Sequence, residues 1–79
     1  MPEDEDTVNA IADEIAHYLA RHPLAADTAI GVQRYWLTQA RGAVPLARVE
    51  DALARLERKG IVARRVVFGG SVMFSARAH

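Results

Sequence analysis

Residues 45–74 read PLARVEDALARLERKGIVARRVVFGGSVMF, and this stretch decides the fold of the chain. In its first half Val49, Leu53 and Leu56 recur at intervals of three and four residues, the spacing that places side chains on one face of a helix. The polar residues between them would then face away from that apolar stripe. The sequence therefore predicts an amphipathic helix at about 45–59.

Both ends of this helix carry residues with special backbone geometry. Pro45 suits the first helical turn, because the N–H that proline lacks has no helical partner there. Gly60 can adopt the left-handed conformation that commonly follows the last residue of a helix. These two residues limit the predicted helix to the segment between them.

Two β-rich runs follow the helix, at about 61–68 and 71–76, and Gly69-Gly70 separates them. β-Branched and aromatic residues favour strands. Two adjacent glycines can adopt the positive φ angles of a tight two-residue turn. The second half of the stretch therefore predicts a β-hairpin.

A two-residue loop would place Val66 opposite Met73, with Phe68 on the same face. A single hairpin can bury only one of its faces against a small domain, so this apolar face would remain exposed. Exposed contiguous apolar patches usually mark interaction sites. We therefore predict a protein interface at Val66, Phe68 and Met73.

The part of the chain before residue 45 predicts two further helices. Residues 1–6 are acidic and are expected to be a disordered lead-in, followed by a helix at about 7–21 with a regular apolar stripe. A second helix is predicted at about 28–37, with Asp27 or Thr28 as its N-cap. The expected fold class is mainly α with a C-terminal β-hairpin, an α+β domain of residues 7–79.

Gly31 lies inside the second predicted helix, where a glycine costs roughly 1 kcal/mol relative to alanine. We expect a neighbouring helix to approach closely at this position.

Residues 49–65, VEDALARLERKGIVARR, resemble the recognition helix and first wing strand of bacterial winged helix-turn-helix transcription regulators. The resemblance implies a three-helix winged-helix-like domain that binds DNA through helix 45–59. Separately, ADTAIGVQRYWL at 26–37 is similar to a stretch with the pattern ADT..G..R.WL in small uncharacterised bacterial proteins. That second resemblance implies no activity.

The formal net charge of zero hides an asymmetry along the chain. Residues 30–79 hold nine bases against three acids, a formal charge of +6, and such a segment suits an anionic partner. Arginine favours bidentate contacts with phosphate. The predicted DNA-binding residues are Arg41, Arg48, Arg55, Arg58 and Arg64.

Carboxylates on the same helix favour a different interpretation of these arginines. Glu50 and Asp51 place negative charge on the helix that would enter the DNA groove. Arg48, Asp51 and Arg55 have the spacing of a surface ladder of i,i+3 and i,i+4 pairs. The alternative hypothesis is therefore a non-enzymatic protein-interaction or dimerisation module that does not bind DNA.

The sequence has no signature of catalysis. It has no cysteine, no phosphate-binding loop and no nucleophile with a base nearby in sequence. We expect no cofactor, no metal ion and no small-molecule substrate. No apolar run is long enough for a membrane span, so we expect a cytoplasmic protein without a membrane partner. The expected partners are DNA, a second copy of the chain or a larger protein.

Overall fold

The computed structural model describes residues 2–37 and 44–77, and the side chains from residue 7 onward. The described residues confirm the predicted fold class of three helices and a C-terminal antiparallel hairpin, compatible with a winged-helix-like domain. The elements in chain order are α1 (Pro2–Arg21), β1 (Ala26–Asp27), α2 (Ala29–Gly31) with a π-helical turn (Val32–Trp36), α3 (Leu46–Arg58), β2 (Val62–Val66) and β3 (Val72–Ala76).

Helix α1 begins at Pro2, five residues before the predicted start, so residues 2–6 belong to the helix and not to a disordered lead-in. Two properties of this segment explain the longer helix. Proline suits a first helical turn, and a run of acidic residues near a helix N-terminus is stabilised by the helix dipole. The helix ends at Arg21, just before the His22-Pro23 pair.

The hydrophobic core lies between α1, α3 and the sheet. Ile11 and Ile15 of α1 and Val49 of α3 are completely buried, and Leu53 is 1% exposed. Val62 of β2 is also completely buried and closes the core from the sheet side. The predicted apolar stripe of α3 is therefore the face that packs in the core.

Strand β1 was not predicted from the sequence. It is two residues long, and it pairs antiparallel with β3 through Ala26 opposite Ser75 and Asp27 opposite Phe74. The sheet order is therefore β1-β3-β2. A strand of two residues is too short to show a periodic pattern. Its partner strand lies almost fifty residues away in sequence, so no local signal indicates the pairing.

The predicted second helix is present as α2 and its π-helical turn. Thr28, one of the two residues predicted for this role, is its N-cap, and the Thr28 hydroxyl accepts a hydrogen bond from the Gly31 N–H at 3.2 Å. The reason predicted for Gly31 is wrong. The group that approaches it is not a neighbouring helix but the Asp27 carboxylate, which lies where a Cβ would be, about 1.8 Å from the Cβ position.

The end of α3 has the predicted glycine geometry. Gly60 has a φ of 77°, and its N–H donates to the Glu57 carbonyl at 3.0 Å. The Ile61 N–H donates to the Leu56 carbonyl, also at 3.0 Å. Together these two bonds form a Schellman motif, which sets the direction in which β2 leaves the helix.

The predicted register of the hairpin is wrong by one residue. Val66 lies opposite Val72, not opposite Met73. The Gly70 N–H donates to the Val67 carbonyl at 3.0 Å, and the Val67 N–H donates to the Ser71 carbonyl at 2.8 Å. The loop therefore has three residues, because Phe68 belongs to the turn and not to a strand.

This shift separates the residues of the predicted apolar face. A one-residue slip moves a strand's side chains to the opposite face of the sheet. Arg65 lies opposite Met73 on one face, whereas Val66 lies opposite Val72 on the other. Val66 and Met73 therefore do not share a face, and the single apolar surface expected from them is absent.

Candidate nucleic-acid interface

An open groove of about 270 Å³ lies between α3 and the sheet. Glu50 and Glu57 line it from the helix, and Arg64 and Phe74 line it from the hairpin. A duplex that docked on α3 would also meet this groove. The charges on its two walls therefore attract or repel any charged partner that contacts α3 and the hairpin at the same time.

The exposed surface of α3 has three rows of side chains that differ in charge. Arg48 and Arg55 lie on one flank, and the Arg55 guanidinium donates to the Asn9 side-chain oxygen of α1. The opposite flank carries the carboxylates of the groove. Between them a ridge faces away from the core and carries Ala47, Asp51 and Arg58.

Arg48 forms the first step of the expected surface ladder. Its Nη1 lies 3.1 Å from Oδ2 of Asp51, and the two side chains are 35% and 57% exposed. An exposed ion pair of this kind contributes about 0–1 kcal/mol. The pair therefore orients Arg48, and breaking it to form a new contact with phosphate would cost little free energy.

The other predicted DNA-binding residues are distributed over two elements. Arg58 is exposed in the last turn of α3, and Arg64 is exposed on β2. Arg41 lies outside the described residues. The structure thus brings Arg48, Arg55 and Arg58 onto one helix and places Arg64 across the groove from them.

The sequence prediction missed two arginines of the hairpin. Arg65 and Arg77 are exposed. Residues 61–77 contain three arginines and no acid, whereas α3 contains three arginines and three acids. The hairpin is therefore the more positive element. The absence of acids after residue 57 is visible in the sequence and could have revealed this difference.

The residues of the predicted protein interface differ in exposure. Phe68 is fully exposed at the turn, Val66 is 63% exposed and Met73 is half-buried. Gly69 and Gly70 follow Phe68 with φ angles of 91° and 85°. The apex of the hairpin thus presents one aromatic side chain next to two residues without side chains.

A second open groove, of about 490 Å³, lies beside the C-terminal half of α1. The Tyr18 ring stacks on Trp36 with ring centroids 5.0 Å apart, and His22 lies 4.4 Å from Tyr18 on a tilted plane. Trp36 is 5% exposed, so this ring mainly fills the core. The groove also has Asp13, Glu14, His17 and Arg21 on its walls, a mixture of both charges.

The described residues also bear on metal ions and membranes as partners. Within residues 2–37 and 44–77, no group of three or more His, Cys, Asp or Glu side chains is arranged to hold a metal ion. No helix in this part of the chain is long and apolar enough to cross a membrane.

Comparisons of the chain with protein-family models, with curated proteins and with solved structures find no match.

Proposed function

We propose that this chain is a non-enzymatic, winged-helix-like DNA-binding domain that acts in the cytoplasm as a small transcriptional regulator. The observation that carries the proposal is the position of α3 beside residues 61–77, the hairpin and one residue on each side of it, which bear three exposed arginines and no acid. Phosphate contacts supply most of the affinity of non-specific DNA binding. An acid-free hairpin next to an exposed helix offers such contacts from two neighbouring elements.

The arginines take different roles in this proposal. Arg58 lies on the ridge that faces away from the core, so a duplex docked on α3 would meet it directly. Arg48 would exchange its exposed bond to Asp51 for a phosphate oxygen. Arg64 would bind the phosphate backbone from the hairpin side.

The test is fluorescence anisotropy of a labelled mixed-sequence duplex, titrated with the protein at low and at physiological salt. We expect micromolar affinity at low salt that falls steeply as salt rises, because arginines that neutralise phosphates release counterions. No binding at low salt would end the DNA proposal.

Two charge-reversal variants localise the contact. Arg58→Glu should weaken binding about tenfold, on the order of one lost phosphate contact at low salt. Arg21→Glu is the matched control, since Arg21 is also exposed but lies at the other groove, at the end of α1. Equal losses in the two variants would indicate a response to net charge without a defined interface.

The second candidate function is protein interaction or dimerisation without DNA binding. The exposed Phe68 and Val66 favour it, as do the carboxylates of Glu50 and Glu57, which repel phosphate. Light scattering would measure the mass of the protein in solution, and Phe68→Ser should lower it if the hairpin joins two copies. A monomeric parent protein that binds duplex DNA would favour the first function.

A further inference from the structure

We propose that the hairpin, and not α3, is the main DNA-contacting element, and that Phe68 enters the minor groove as an apolar wedge between two base pairs. This inference rests on the proposed DNA-binding function. It differs from docking through helix 45–59, which the resemblance implies.

The first argument is the distribution of charge. The three arginines of α3 are balanced by three carboxylates on the same helix, so α3 together with its C-cap Lys59 has a formal charge of only +1. Residues 61–77 carry a formal charge of +3. Because attraction to the backbone dominates DNA affinity, a duplex is drawn to the hairpin more strongly than to α3.

The second argument is the acidic flank of α3. Glu50 and Glu57 lie on the side of the helix that faces the hairpin, where they line a groove together with Arg64. Phosphates that approached this groove would meet two carboxylates against one guanidinium. The helix therefore cannot settle deeply between the two phosphate rows while the hairpin also contacts DNA.

The shape of the hairpin apex is the third argument. The apex is the three-residue loop of Phe68, Gly69 and Gly70, and only the first of these has a side chain. The minor groove of B-DNA is about 6 Å wide, too narrow for a helix. A turn with two adjacent glycines keeps its bulk low, so it can approach the floor of that groove.

The side chain at the apex has the chemistry of a wedge. Phe68 is fully exposed, so the chain itself leaves its ring in water. Proteins that bind the minor groove frequently insert apolar side chains such as phenylalanine between base steps. Stacking on bases would remove the Phe68 ring from water and would offset part of the cost of unstacking the step.

Two arginines lie near Phe68 on opposite faces of the hairpin. Arg64 lies opposite Phe74 and Arg65 lies opposite Met73, and successive side chains of a strand point to opposite faces. Both are three to four residues from Phe68, a distance of roughly 10–13 Å along the strand. They are therefore placed to contact phosphates on the two strands that border the groove. Arg65 points away from the groove that Glu50 and Glu57 line, so we expect it to contribute more to DNA affinity than Arg64.

The proposal predicts a preference among base steps. Pyrimidine–purine steps, above all TA, unstack most easily, so a wedge at such a step costs less than one at a purine–purine step. We expect tighter binding to a duplex with one central TA step than to the same duplex with an AA step.

The experiment uses a duplex in which the adenine of the central TA step is replaced by fluorescent 2-aminopurine, whose emission rises when it unstacks. The full chain should increase that emission on binding. Phe68→Ala should remove the increase and weaken binding about tenfold, the size expected for one lost base–aromatic stack. Leu24→Ala is the matched control, because Leu24 is 97% exposed and lies at the opposite end of the sheet.

The outcomes separate this inference from the proposed function. If the unchanged protein fails to bind any duplex at low salt, both fall. If it binds but Phe68→Ala leaves affinity and emission unaltered, the wedge is refuted and the DNA-binding function stands. Arg65→Ala should weaken binding more than Arg58→Ala, and the reverse order would return the main contact to α3.

Discussion

Replacing Gly31 by alanine should destabilise this domain, although alanine is the better helix former. In an unobstructed helix the change would gain about 1 kcal/mol. Here the added Cβ would lie about 1.8 Å from Oδ1 of Asp27, far inside van der Waals contact. The Asp27 carboxylate must therefore leave its position.

The displaced carboxylate loses a specific contact. Oδ1 of Asp27 accepts a hydrogen bond from the Thr28 N–H at 2.8 Å, and hydrogen bonds to charged groups contribute about 1.5–3 kcal/mol. The loss exceeds the gain in helix propensity, so the net destabilisation of Gly31→Ala should be about 1 kcal/mol or more. For a domain of this size that lowers the melting temperature by roughly 4–8 °C.

A double-mutant cycle isolates this contact. In an Asp27→Ala background the obstruction is absent, so Gly31→Ala should stabilise the protein by about 1 kcal/mol. The coupling between the two positions should therefore be about 2 kcal/mol, measured by urea denaturation followed by circular dichroism. Additivity within about 0.5 kcal/mol, as found for independent sites, would refute the reasoning.

Three further changes test other parts of the fold. Gly60→Ala should cost about 1–2 kcal/mol in urea denaturation, because a Cβ there meets no atom within 4 Å and only the φ of 77° is unfavourable; a neutral result would contradict the Schellman geometry. Leu53→Ala should cost about 2–5 kcal/mol, and the exposed Leu24→Ala less than about 0.5 kcal/mol. Tyr18→Ala should shift the emission of Trp36, the single tryptophan, to longer wavelength, since it removes the ring stacked on it; unchanged emission would argue against the stack.

Local signals in the sequence were sufficient for the end of α3. A glycine after an apolar helical stripe has few other uses, and its left-handed geometry follows from sterics alone. The N-cap at Thr28 is local in the same sense, because its hydroxyl reaches an N–H only three residues ahead. Both features could therefore be predicted without knowledge of the fold.

Features that depend on distant or alternative pairings were not predictable in this way. Strand β1 exists because β3 offers it hydrogen bonds, and no property of Ala26-Asp27 indicates that partner. The hairpin register depends on whether the loop has two or three residues. The glycine pair is compatible with both, and the choice of three residues moved Phe68 from a strand face to the apex.

Four of the six described arginines of the candidate site were named from the sequence. The resemblance to winged helices pointed to α3 and its three arginines, and Arg64 of β2 was named with them. Arg65 and Arg77 were missed although the absence of acids around them was visible. The resemblance to a fold indicates DNA-contacting residues by the helix or strand that they lie on. The affinity for a polyanion depends instead on the local sum of charges.

The two flanks of α3 carry opposite charges. Its arginine flank faces α1 and its carboxylate flank faces the hairpin. A duplex attracted to the hairpin is therefore repelled by the nearest edge of α3. A helix meant to lie deeply in a major groove would gain from the opposite arrangement, with bases on both flanks. If the chain binds DNA as proposed, the carboxylates limit how closely α3 and the hairpin can contact one duplex together, and the acid-free hairpin is the element that the polyanion reaches first.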